Sequence, residues 1–352
     1  MASDPDFEAE KAVASANRGG MSSWFSANTK EDKLEEAAQL YETAANGFKR
    51  AQQLRKAAQA FEKAGELYLS YGEKYKAKSA FIKAASSYAD ASTVVSSNPL
   101  PSISSLSAPL RSAPLGSEEA IAEQEADKRR KQHELLNPPK ASEDVKRDNR
   151  DALRVAQRAL SAAEDEQGNT QHQKAKVLEQ IAGIHVVLEN YEEAENTYGL
   201  AGVAYGTQAL PIRTFIAGGE KFAKAGAYRS AARMYEAAVA KEKSDPNPSA
   251  STAGNAVRYL CKAAFYHFAT GDFVTTRRAL ENYCNIDRKF GQTPEFRLYM
   301  DLMEALRAND EKGFRQIREQ YQRTAPTDDQ RDAILEAKEN SLTTPNVDDD
   351  FS

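Results

Sequence analysis

The sequence predicts an all-α fold, a right-handed α-solenoid of antiparallel helix hairpins ending in a C-terminal helical bundle. Three observations carry that prediction. A segment of about twenty residues recurs along the chain, its repeated positions share one helical face, and small residues stand beside large aromatics on that face. Composition agrees: 41% of the 352 residues are apolar and 28% charged, with Ala, Glu, Lys, Gln and Arg abundant. Such residues favour long amphipathic helices over sheet.

The repeat emerges when LEEAAQLYETAANGF, RKAAQAFEKAGELY and KAKSAFIKAASSY are aligned on their aromatics. Tyr41, Phe61 and Phe81 fall twenty residues apart, as do Ala37, Ala57 and Ala77, the small pairs Ala44-Ala45, Ala64-Gly65 and Ala84-Ala85, and the closing aromatics Phe48, Tyr68 and Tyr88. The template returns at Ala194, Tyr198, Ala201, Gly202 and Tyr205, then more weakly at Phe215, Gly218, Gly219 and Phe222 and at Ala231, Tyr235 and Ala238. Offsets of 4, 7 and 11 residues are about 400°, 700° and 1100° around a helix, hence one face. Each unit is therefore one helix, and an aromatic on one helix fills the space left by Ala or Gly on the next. Two units make a hairpin of about forty residues, longer than the tetratricopeptide repeat but of its kind (TPR-like), and stacked hairpins form a solenoid.

Element by element, residues 1–29 hold a short helix at Phe7–Asn17 and an aromatic loop at Gly19–Asn28. Residues 30–91 are three TPR-like helices. Residues 92–117, rich in Ser and containing Pro99, Pro101, Pro109 and Pro114, predict a disordered loop. Residues 118–242 open with a charged helix, Glu118–Leu136, stopped by Asn137-Pro138-Pro139, and continue with further repeats. After SDPNPSAST, residues 253–341 form the C-terminal bundle, and 342–352 are an acidic tail in which three successive aspartates oppose helix formation.

Function classes narrow quickly. No run approaches the roughly 18–20 apolar residues of a transmembrane helix, and Met1–Glu10 is acidic rather than a basic-then-apolar leader, so a cytoplasmic protein is expected. The net charge of −5 speaks against a nucleic-acid partner. That charge is uneven: from Asp301 to Ser352 there are thirteen acids and seven bases, net −6, leaving +1 for the remainder. Phosphate-loop, dinucleotide, nucleophile-elbow and zinc-protease motifs are absent from the sequence. Gly218-Gly219 occupies the small-pair position of a repeat. His133, His172, His185 and His267 are scattered, and Cys261 and Cys284 lack metal-ligand spacing and read as packing thiols. No catalytic residue, metal or cofactor is expected. Function must lie in surfaces.

Those surfaces carry a resemblance. A Ser-rich loop with Met21, Trp24 and Phe25 precedes LEEAAQLYETAANGFK; later come IRTFIAGGEKFAKAGAYRSAARMYE, AVRYLCKAAFYHFATGDF and EFRLYMDLMEALRANDEKGFRQIREQY, then the tail DDDFS. In order and spacing the chain resembles the soluble NSF attachment proteins (SNAPs), nearer the alpha-like than the gamma-like branch. The resemblance implies an adaptor in vesicle-mediated transport, peripherally associated with membranes. It would bind an assembled SNARE four-helix bundle of the syntaxin type and recruit and stimulate an NSF-type AAA+ ATPase, which supplies the force.

Carried over residue by residue, the resemblance implies SNARE contacts at Lys176, Arg213 and Arg297, whereas Gly206 and Ala89 stand where the family groove is basic. It implies a membrane contact at Met21, Trp24 and Phe25, aromatics suited to a bilayer interface. It implies ATPase contacts at Glu304, Asp310 and Glu311 and at Asp348, Asp349, Asp350 and Phe351. Arg307 and Ala308 replace expected acids, and Phe351 replaces a leucine. The Ser/Pro-rich break departs from the family, and the sequence leaves open whether a hairpin was replaced there or material inserted. A generic TPR-like scaffold unrelated to membrane fusion fits the solenoid equally; the aromatic loop and the acidic tail are what favour the adaptor.

Overall fold

The computed structural model describes residues 30–97, 126, 129–130, 133–164, 170–206, 209–244, 254–325 and 328–343, and among them every regular element is helical. The fold is all-α, built of TPR-like hairpins. In chain order the helices are α1 (Lys30–Arg50), α2 (Leu54–Ser70), α3 (Lys74–Ser97), α4 (Glu143–Glu164), α5 (Thr170–Val187), α6 (Tyr191–Tyr205), α7 (Leu210–Lys224), α8 (Tyr228–Ser244), α9 (Ala256–Thr270), α10 (Phe273–Ile286), α11 (Pro294–Arg307), α12 (Glu311–Gln322) and α13 (Asp329–Thr343). A short 3-10 turn, Phe290–Gln292, precedes α11. Two compact units result, one holding α1–α6 and the other α7–α13 together with the chain just before Lys140.

Five hairpin turns share one chemistry. In α1/α2, α2/α3, α5/α6, α7/α8 and α11/α12 a residue of positive φ (Gln52, Gly72, Glu189, Gly226 and Asn309) ends the helix. The next amide donates to the carbonyl five residues back: Gln53 to Phe48, Glu73 to Tyr68, Asn190 to His185, Ala227 to Phe222 and Asp310 to Ala305, each at 2.9 Å. This is the left-handed cap that satisfies otherwise orphaned carbonyls, and it reverses the chain within three residues. Gly72 and Gly226 adopt that φ without a Cβ penalty.

In the first unit each helix packs on its neighbours in sequence, and alternate helices run parallel. The register is explicit. Between α1 and α3, Glu35 pairs with Lys76, Glu42 with Lys83 and Lys49 with Asp90, three ion pairs in seven-residue steps at one constant offset. Between α2 and α4, Arg55 pairs with Asp148, Glu62 with Arg154 and Arg158, and Glu66 with Arg158. Beneath these ladders the predicted face is buried: Tyr41, Phe61, Phe81, Ala64, Ala84, Ala85, Tyr68 and Tyr88 all lie in the core.

The stack continues across the departure around residue 100. Lys63 lies over the ring of Tyr41 at 5.1 Å, Lys83 over Phe61 at 5.7 Å and Arg158 over Phe81 at 4.5 Å. Arg158 thus does for α3 what Lys63 and Lys83 do for the two preceding helices, and α4 is the fourth helix of the stack. Among the described residues, α4, from Glu143, follows α3 directly in the stack. Helix α3 itself continues to Ser97, five residues beyond the expected onset of the loop, because Ala91 and Ser92 remain buried. Most of the expected 92–117 loop and the 245–252 pause lie outside the described residues; of the charged helix, residues 133–136 are helical.

In the second unit α7/α8 repeats the small-pair packing, and α9 is the centre against which α8, α10 and α11 pack. Side-chain caps start α10, α11 and α12: Asp272 accepts from the Thr275 amide at 3.0 Å, Thr293 from Phe296 at 3.2 Å with Pro294 in the first turn, and Asp310 from Gly313 at 2.9 Å.

Candidate functional site

The candidate site residues that are described lie on the surface of the helices. Among the described residues, no group of three or more His, Cys, Asp or Glu side chains is arranged to hold a metal ion, and no helix is long and apolar enough to cross a membrane. Gly218 and Gly219 are buried in α7, and a Cβ on Gly219 would come within 2.7 Å of the Tyr235 ring, so the pair serves packing as the repeat predicts. Cys261 and Cys284 are free thiols; burial pushes Cys261 up to about 12, which keeps it protonated at neutral pH.

Lys176, Arg213 and Arg297 are all solvent-exposed, and none makes an ion pair with a described residue. Three uncommitted cations are a usable surface charge, since the ladder cations of the first unit are already committed to carboxylates. Lys176 belongs to the first unit; Arg213 and Arg297 belong to the second.

The surroundings of Lys176 are ordered by a residue that sequence reasoning treated only as packing. His172 and Glu179 lie four residues before and three after Lys176, hence on its face of α5. Tyr205 reaches that face from α6: its hydroxyl donates to Glu179 Oε2 at 3.0 Å and its ring meets His172 edge-on at 5.3 Å. Burial, reinforced by Glu179, raises the Tyr205 pKa and keeps the phenol protonated. Lys176 therefore projects from between two fixed neighbours. Arg213 stands in the first turn of α7, where Pro211, Ile212 and Thr214 turn inward.

The acids gather at the α11/α12 turn, but each already has work. Glu304 accepts from Arg277 Nη2 at 3.4 Å, Asp310 caps α12, and Glu311 pairs with Arg315 at 2.6 Å. Arg277 and Arg307 are further cations of this region, so its outward charge is mixed rather than acidic. Met21, Trp24, Phe25, Asp348, Asp349, Asp350 and Phe351 lie outside the described residues.

Below the surface, Glu236 of α8 binds His267 Nε2 of α9 at 2.9 Å and the Tyr283 hydroxyl of α10. Burial alone would raise the pKa of Glu236, yet the two hydrogen bonds hold it below the ordinary carboxylate value. This node joins three helices. A scattered His and Glu gave no hint of it in sequence.

Comparison with known proteins fits the repeats and the surfaces. The family described as "Soluble NSF attachment protein, SNAP" matches residues 4–104 and 120–342, and the unmatched interval falls between α3 and α4. A "Probable vesicular-fusion protein sec17 homolog" of Schizosaccharomyces pombe is 30% identical over 156 residues, 42% of this chain and 51% of that protein. One of the same name from Neurospora crassa is 28% identical over 173 residues, 47% of this chain and 56% of that protein. The chain thus spans about half the length of the curated relatives it matches. Among solved structures, the apo form of RapI (13% identity, 90% of this chain and 81% of that one, TM-score 0.29) and yeast Tom70 (13%, 97% and 82%, TM-score 0.23) are similar at a level that carries no argument.

Proposed function

The chain belongs to the soluble NSF attachment protein family, and from that premise we propose that it is an adaptor that binds assembled SNARE bundles and recruits and stimulates an NSF-type AAA+ ATPase. The observation that carries the proposal is the reach of the family match across both helical units, joined to three exposed, uncommitted cations at Lys176, Arg213 and Arg297. A SNARE bundle presents an acidic exterior, and Lys and Arg pair with such a surface at modest energy per contact, so several must act together. On this reading the chain contributes geometry and charge, and the partner contributes ATP hydrolysis. Trp24 and Phe25 would hold the adaptor at the membrane, and the acidic tail with Phe351 would meet the ATPase.

The test is a pull-down on an assembled SNARE complex, with and without NSF and non-hydrolysable ATP. Wild type is expected to bind the complex and to retain NSF on it. Reversing Lys176, Arg213 and Arg297 to Glu together should abolish binding while leaving the helical signal intact. Failure of the wild type to bind assembled SNAREs would return the protein to the class of general TPR-like scaffolds.

A further inference from the structure

A cleft of about 480 Å³ in the first unit is lined by three cations that the candidate adaptor surfaces do not use. Helix α4 supplies Arg154, Gln157, Arg158 and Ser161, spaced so that all four share one helical face. Opposite them are Leu69, near the end of α2, and Lys74, which opens α3, on the two sides of the turn at Gly72. Lys74, Arg154, Gln157 and Ser161 are exposed, so the cleft opens to solvent. None of the described residues that line it is acidic.

The ion pairs of the α2/α4 ladder use only part of each guanidinium. Arg158 lies over the Phe81 ring at 4.5 Å and donates through Nη1 to Glu62 at 3.0 Å and to Glu66 at 2.9 Å, which leaves Nη2 and Nε outside those bonds. Arg154 uses Nη1 and Nη2 on Glu62, which leaves Nε. The carboxylates thus hold both forks in place without lining the cleft. Guanidinium groups fixed by packing and by outer hydrogen bonds are pre-organised donors for phosphate oxygens. Glu62 and Glu66 offset part of the charge, so attraction acts at contact rather than at long range, and this favours a compact dianion over a broad acidic surface. A phosphate monoester, with a charge of about −1.5 to −2 and three acceptor oxygens, is such a group. The volume exceeds what phosphate alone fills and lies within the roughly 300–1,000 Å³ of small-ligand sites. Leu69, 38% exposed, offers an apolar wall, and the Gln157 amide and Ser161 hydroxyl offer donors and acceptors for hydroxyl groups.

We propose that this cleft binds the phosphate monoester of a small polyol or sugar, with Lys74, Arg154 and Arg158 on the phosphate and Gln157 and Ser161 on the hydroxyls. The site lies wholly within the first unit and does not rest on the adaptor reading. Such an ester occurs both as a free metabolite and as the headgroup of a lipid; the chemistry that recognises it is the same.

Isothermal titration of the full chain with inositol monophosphate should saturate a single site with a Kd below about 1 mM, and inositol without phosphate should not bind. Gln157→Glu and Ser161→Asp each bring a carboxylate to an exposed position of the cleft, and each should weaken binding at least about tenfold. Lys176→Glu, outside the cleft, should leave it unchanged. Absence of saturation in wild type overturns the site. Undiminished affinity in both cleft variants overturns it too, because the ester then binds elsewhere. Flotation with phosphatidylcholine vesicles, with and without phosphatidylinositol monophosphate, distinguishes the sources. Capture that requires the phosphoinositide and is lost in Gln157→Glu makes the ligand a lipid headgroup; binding of the soluble ester without such capture makes it a free metabolite.

Discussion

A Cβ built on Gly65 would lie 2.6 Å from Cε1 of Phe81, sixteen residues later, and one on Gly219 would lie 2.7 Å from Cε2 of Tyr235, again sixteen residues later. The same contact thus recurs in both units, each time between a small-pair glycine and the first aromatic of the repeat template in the next helix. Gly65→Ala should therefore overpack the α2/α3 interface and cost about 1–3 kcal/mol, despite the better helix propensity of alanine. Ala64→Leu, on the same face, should cost as much or more. Thermal melts check both, and Phe81→Leu added to Gly65→Ala should recover part of the loss. Unchanged melting temperatures in the single variants would refute the close-packing account.

A second recurrence links tyrosine and glutamate. Tyr68 donates to Glu42 at 3.3 Å, Tyr205 to Glu179 at 3.0 Å and Tyr321 to Glu295 at 3.1 Å, each across one hairpin and twenty-six residues apart. Replacing each tyrosine by phenylalanine should lower stability by about 0.5–1.5 kcal/mol. At Tyr205 it should also free Glu179 and weaken SNARE binding through Lys176, which the other two replacements should leave alone.

The Glu236 node predicts a pH dependence with a definite sign. Its carboxyl titrates lower in the folded protein than the ordinary value of 4.5, so its contribution is complete at neutral pH and is lost as the pH falls through the folded value. Wild-type melting temperature should drop between about pH 5 and pH 3, and Glu236→Gln should shrink that drop while lowering stability at pH 7. Asp272, Asp287 and Asp328 are shifted in the same direction and will keep the drop from vanishing. An identical slope in the variant and the wild type would show that the node is not an ionised one.

Trp24→Ser with Phe25→Ser tests the membrane contact. A few aromatics bind bilayers weakly, so the loss should appear when membrane-anchored SNAREs supply a second attachment. Disassembly of liposome-anchored complexes should slow in the double variant, and disassembly of the same complexes without membranes should not. Equal rates on liposomes reject the contact.

Deleting Asp348–Ser352 should leave the melting temperature and SNARE binding unchanged and lower SNARE-dependent ATP hydrolysis by NSF. Because the aspartates act at long range, the difference should narrow as salt rises, screening at physiological ionic strength having a length of about 8 Å. Full stimulation by the truncated chain at every salt concentration would remove the tail from the mechanism.

From the sequence alone came the helical class, the repeat and its face, because helix packing imposes a short period on neighbouring residues: Tyr41, Phe61 and Phe81 announce the stack, and their burial follows. The Gly218-Gly219 pair was legible as packing for the same reason. The candidate cations were reached only through resemblance, and that Lys176, Arg213 and Arg297 are exposed and form no ion pair with a described residue is a fact of the folded chain. Tertiary structure alone decided that α4 follows α3 in the array, since Arg55–Asp148 and Glu62–Arg154 join residues more than ninety positions apart. It also decided that Asp310 and Glu311 spend their charge on capping and on Arg315, and that Glu236, His267 and Tyr283 converge. No local period encodes such contacts; they exist only where folding brings distant helices side by side.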